Sequence, residues 1–255
     1  MASKYQKLQN KHVLVIGGTS GIGFGVAEGA LASGAQVTVS SSSQSRVDEA
    51  VKRLKADFPN STIAGHATDL SKPTVEQDIE ALFSKVGKVD HIVLTAGDKV
   101  SVQAVSDLTY EKIIAAGQVR FIAPLLVAKV GSRYLSPGPY SSITFTTGSV
   151  SQKPIPGWEL PAGFAAGLHG VTRLLAVDLA PIRVNVVAPG PVLSEFWDAN
   201  FDEQTKLAIG KEVAAKYPTG RIAEPGDVAE AYLFLLKDPS VTGTVVSSNS
   251  GALLI

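Results

Sequence analysis

Short apolar, β-branched runs alternate along the chain with stretches whose apolar positions recur at helical spacing. HVLVIG (12–17) ends in glycine and predicts a buried strand. GIGFGVAEGALASGA carries small and apolar residues at helix period and stops at Gly34. QVTVS (36–40) predicts the second strand, and SRVDEAVKRLKADF a charged amphipathic helix. STIAGHATDL holds a third strand ending near Asp69, and SKPTVEQDIEALFSKVG a helix with Ser71 as its N-cap. VDHIVLTAG is the fourth strand. The next segment, 108–135, reads as one long helix with a possible kink at Pro124. YSSITFTTG is the fifth strand. A helix then starts at LPAGFAAGL, with Pro161 in its first turn, and runs to about Leu179. IRVNVVAPG is the sixth strand. FDEQTKLAIGKEVAAKY and PGDVAEAYLFLL are helical, and GTVVSS is the last strand.

This strand–helix alternation predicts an α/β fold: a doubly wound parallel sheet of the Rossmann type, joined by right-handed crossovers. No linker, repeat or low-complexity block interrupts it, so residues 1–255 are read as one domain. Lys plus Arg and Asp plus Glu each number 23, giving zero net charge and no basic field for nucleic acid or an anionic membrane. No uninterrupted apolar run is long enough to span a bilayer, and the N-terminus lacks an apolar signal core. The chain has no Cys and four scattered His, so neither a disulfide framework nor a metal site is expected. A cytoplasmic protein is the simplest expectation. The apolar C-terminus, GALLI, is expected to pack against a neighbour.

GGTSGIG lies between the first strand and first helix. Glycines there let the backbone approach a dinucleotide diphosphate, while the helix start supplies N–H groups and a positive dipole end. Gly17, Thr19, Ser20, Gly21, Ile22 and Gly23 are therefore candidate cofactor residues. The end of the second strand normally decides between NAD and NADP. Here SSSSQSR offers no carboxylate for a ribose 2′-hydroxyl. Ser41, Ser42, Ser43 and Arg46 would instead suit a 2′-phosphate, which favours NADP(H). The same segment also fits a flexible surface turn with a solvated arginine. Asp69, with Leu70 beside it, lies where a side chain would meet the adenine or cap the next helix.

GGTSGIG, TDL, LTAG, RVNVVAPGPVLSEF and TGTVVSSNSG fall in the order and spacing of the short-chain dehydrogenase/reductase family, which the chain resembles over essentially its whole length. The resemblance implies a single Rossmann domain that is commonly a homodimer or homotetramer and moves hydride to or from a nicotinamide. It places Ala96 and Gly97 beside the adenosine ribose. It also places Pro189, Gly190, Val192 and Ser194 along the nicotinamide side.

That family's usual Tyr and Lys, four residues apart, do not appear. By alignment from GVTRLLAVDLAP, their places fall on Pro161 and Ala165, the serine's on Gly148, and the asparagine's near Gly117 or Gln118. Four residues beyond the six tyrosines stand Gln9, Ile114, Gly138, Thr144, Arg221 and Leu236. General acid catalysis typically contributes about 10²–10⁴-fold, so ketone reduction is expected to be poor. Hydride delivery to an iminium needs no such proton.

PIPGW (154–158) resembles the Pro-Asp-Pro-Gly-Trp segment of the fungal reductase/Diels–Alderases of indole alkaloid biosynthesis, with Ile155 in place of the central Asp. That resemblance picks out Arg120 and Asp98 as site residues and Trp158 as a pocket wall. Each also has a structural reading: an ion pair for Arg120, a helix cap for Asp98 and a core plug for Trp158. Three functions stay open. The chain is a reductase of a C=N or similarly activated bond in a bulky apolar small-molecule substrate, a cyclase or rearrangement enzyme using the nucleotide as scaffold, or a silent NADP-binding regulator.

Overall fold

A computed structural model describes residues 2–195, 197 and 201–255. Seven parallel strands form one sheet in the order β3-β2-β1-β4-β5-β6-β7. They are β1 (His12–Ile16), β2 (Gln36–Ser41), β3 (Ile63–Ala67), β4 (His91–Leu94), β5 (Ser142–Thr146), β6 (Arg183–Pro189) and β7 (Val245–Ser248). The helices are α1 (Gly21–Ala32), α2 (Gln44–Asp57), α3 (Val75–Val86), α4 (Tyr110–Gly117), α5 (Ala123–Gly131), α6 (Glu159–Asp178), α7 (Glu203–Lys216) and α8 (Pro225–Lys237). The order reverses between β1 and β4, so the crevice outside their carboxyl ends is the place where such sheets take ligands.

Side chains alternate across each strand, and both faces of this sheet are covered. Val13, Val15, Val37 and Val39 join one core with α1 and α8. Leu14, Ile16, Ile92, Ile143 and Phe145 join a second with α3 and α5. A fully buried side chain of this kind contributes about 1.5–3 kcal/mol. That burial holds α1 in place although four of its residues are glycine, each costing about 1 kcal/mol against alanine. The glycines allow close packing on α8: a Cβ on Gly29 would lie 2.7 Å from Leu233.

The expected long helix over 108–135 forms with a break. α4 and α5 are joined by a widened π turn, Gln118–Ile122, just before Pro124. Pro124 brings no N–H for the carbonyl four residues back, and the wide turn absorbs that mismatch. Ser71 is not the cap of α3. That helix starts at Val75 after Thr74, and Ser71 bonds Asp69 instead. Two helical stretches, Tyr110–Tyr134 and Glu159–Asp178, are long and apolar enough to cross a membrane by length and composition. Here α5 packs on α3, and α6 on β6. In the C-terminal GALLI, Ala252 is buried, and Lys153 Nζ donates to its carbonyl at 3.0 Å.

Candidate active site

The turn between β1 and α1 sits on the backbone after β4. Gly17 has φ +94°, and a Cβ there would lie 2.3 Å from Ala96 N, so only glycine fits. A Cβ on Gly23 would meet Gly17 O at 2.1 Å. Thr95 Oγ1 donates to Gly17 O at 3.1 Å and joins the two segments. The turn thus brings Gly17 to Gly23 and Ala96 to one place, with α1 starting at Gly21. Its N-cap, Ser20, makes no side-chain capping bond, and Thr19 is half-buried beside it. Gly21 N donates instead to Glu195 Oε2 at 2.9 Å. A carboxylate oxygen thus stands at this helix start, where free N–H groups and the dipole end favour negative charge.

The serine run at the end of β2 is ordered around Arg46. Arg46 donates to Ser42 Oγ at 2.7 Å, and Ser43 caps α2 while its Oγ bonds Ser45 Oγ at 2.8 Å. Ser41 is half-buried, whereas Ser42 and Arg46 are exposed. Hydroxyls and a guanidinium therefore converge where no acid stands, a donor set that fits a 2′-phosphate.

Asp69 does not cap α3, as one of its two sequence readings had it. Its Oδ1 accepts from Ser71 N at 3.0 Å and Ser71 Oγ at 2.7 Å, which hold its carboxyl below the usual range. Leu70 puts its side chain into the core, so only its backbone is available to a ligand, and Leu70 O already accepts from Gln118 at 3.1 Å. Pro189 and Val192 are likewise buried. Gly190 packs against Asn249, and Ser194 Oγ donates to Val192 O at 3.4 Å. Leu70, Pro189 and Val192 therefore offer packing rather than polar side-chain contacts.

Arg120 and Asp98 come together. The π turn projects Arg120 across Gly97, and its Nε lies 2.9 Å from Asp98 Oδ1, while Asp98 O also accepts from the guanidinium. Oδ1 accepts no well-aligned hydrogen bond despite that proximity. Burial pulls the guanidinium below its ordinary pKa, and Asp98 acts in the opposite direction. The two side chains remain 28% and 36% exposed, so the pair is partly open to solvent. Trp158 is half-buried and forms the N-cap of α6 through its backbone, its carbonyl accepting from Ala162 N at 2.8 Å. The PIPGW loop is joined to the segment after Asp98 by a bond from Gln103 N to Gly157 O at 3.2 Å.

The first turns of α6 bring no phenol and no ammonium. Pro161 is buried, and Ala165 O accepts from Thr147 Oγ1 at 2.8 Å. Phe164 fills the notch above Gly117, where a Cβ would be 2.7 Å from its ring. The π turn and the Gln103–Gly157 bond were not legible beforehand. Glu195, the first ionisable residue after Arg183, is not singled out by the sequence.

A family model described as an SDR-like rossmann domain matches residues 4–255. The short-chain dehydrogenase/reductase fsr5 of Gibberella fujikuroi is 42% identical, covering 97% of this chain and 96% of its own. The solved structure of MalC Reductase/Diels-Alderase from Malbranchea aurantiaca is 40% identical with a TM-score of 0.93, covering 99% of this chain and 100% of its own. A small-chain dehydrogenase solved in complex with NADPH is 29% identical with a TM-score of 0.78, covering 97% and 100%. The glycine turn, the sheet order and these relatives agree: this chain is an oxidoreductase of the short-chain dehydrogenase/reductase family.

Proposed function

We propose that the chain is an NADPH-dependent reductase whose site is rebuilt for an acceptor that brings its own positive charge, such as the C=N bond of an iminium in a bulky, largely apolar metabolite. The observation that carries this reading is a dinucleotide cradle beside a helix, α6, whose first turns bring no phenol and no ammonium, Glu159 being their one ionisable group. Ser42 and Arg46 would hold the 2′-phosphate, and the start of α1 the diphosphate. The nicotinamide, when bound, supplies the hydride. An iminium reduced in this way becomes a neutral amine, so no alkoxide develops and no phenol is required. What the chain must provide is position and exclusion of water. Trp158 and the apolar residues Val102, Ile155 and Leu193 would wall the substrate. Arg120, held by Asp98, would orient the nucleotide and its acceptor.

The names of the relatives support this reading: one is a reductase/Diels–Alderase and another is solved with NADPH. The test is NADPH oxidation followed against matched panels of cyclic iminium ions and ketones. Turnover confined to the iminium panel is expected. Brisk ketone reduction, or reversible oxidation of secondary alcohols, would overturn it.

A further inference from the structure

α1 starts without an anionic cap of its own: Ser20 gives no side-chain bond, and the first turn holds no acid. The leading N–H groups of a helix have no intrahelical acceptor and carry positive partial charge. Glu195 satisfies one of them from 174 residues away, its Oε2 accepting from Gly21 N at 2.9 Å. The segment bearing it lies on the helix start. Ser194 Cβ is 3.3 Å from where a side chain on Gly21 would begin, and Leu193 N is anchored to Ala223 O at 2.8 Å. The Glu195 side chain is exposed, so this contact rather than packing holds it.

A cofactor diphosphate would approach the same N–H groups. Two anions cannot share one small region of positive potential without strong repulsion. We propose that Glu195 is an internal competitor. Its carboxylate holds an N–H group that the diphosphate would use and would leave when NADPH enters, so nucleotide affinity is set by a displacement. This inference rests on the proposed reading of α1 as the diphosphate site. A ligand that reaches only the Ser42–Arg46 cluster would bind without moving Glu195.

The test is a fluorescence titration of NADPH into the wild type, Glu195→Ala, Glu195→Gln and Glu203→Gln, the last removing one charge from nearby α7. Glu195→Ala is expected to bind NADPH about three- to tenfold tighter, as befits loss of an exposed anion–helix contact. Glu195→Gln should gain less, because its neutral amide oxygen still reaches the N–H. Glu203→Gln should stay near the wild type. Adenosine 2′-monophosphate, which lacks the diphosphate, should bind all four alike. Without nucleotide, Glu195→Ala should melt below the wild type, and saturating NADPH should erase the difference. Unchanged or weaker NADPH binding by Glu195→Ala, beside a wild type that binds normally, would overturn the displacement and leave the dinucleotide reading intact. An equal gain in Glu203→Gln would also overturn it, as a mere charge effect. A wild type that retains no NADPH would overturn both.

Discussion

The two ends of the crevice are built differently. The cradle around Gly17, Gly23 and Thr95 is fixed by backbone contacts so close that side chains are excluded. The other end, at the start of α6, is lined by Pro161, Phe164 and Ala165, which bring no ionisable side chain. Holding a dinucleotide depends on backbone geometry that a chain cannot vary without losing the turn. Proton transfer depends on a few side chains that can be exchanged while α6 still packs on β6.

Gly17→Val should break the comparison at the rigid end with the largest effect. The new side chain would enter the backbone of Ala96 at a positive φ. A loss of about 2–4 kcal/mol is expected, together with loss of NADPH retention. Thermal unfolding and fluorescence titration would show it, and a variant as stable and as tightly binding as the wild type would refute the cradle. Arg120→Ala tests the replaceable end. It should lower kcat/KM for an iminium substrate by about ten- to a hundredfold, with little change in melting because the ion pair is partly exposed. Arg120→Lys should rescue poorly, since an ammonium lacks the planar fork. Steady-state kinetics with intact NADPH binding would separate these roles. The smallest of the three effects is expected from Arg46→Ala. It should weaken NADPH by about five- to twentyfold through a charge-assisted contact at an exposed site, while NADH binding stays put. Equal losses for both nucleotides would refute the 2′-phosphate assignment.

Fold class was legible because local patterns carry it. β1 and β4 are apolar runs, and the segments between strands carry helical periodicity. The cradle was legible for the same reason: GGTSGIG is contiguous. Contacts between residues far apart in sequence were not. Glu195 meets Gly21 only after six strands have assembled, and nothing in VLSEF announces the encounter. Asp69 shows a local failure. Its sequence context offered adenine or a helix cap, yet Ser71 two residues later claims its carboxylate. Pro124 marked a disturbance correctly, and a widened turn, Gln118–Ile122, absorbs it.

The bond from Gln103 N to Gly157 O couples two stretches more than fifty positions apart in the chain. A designer who transplants one of them from a relative imports half of a matched set, and the mismatch falls on a main-chain contact that no side-chain choice repairs. Retargeting this scaffold to a new molecule therefore calls for moving both stretches together, as a single cassette.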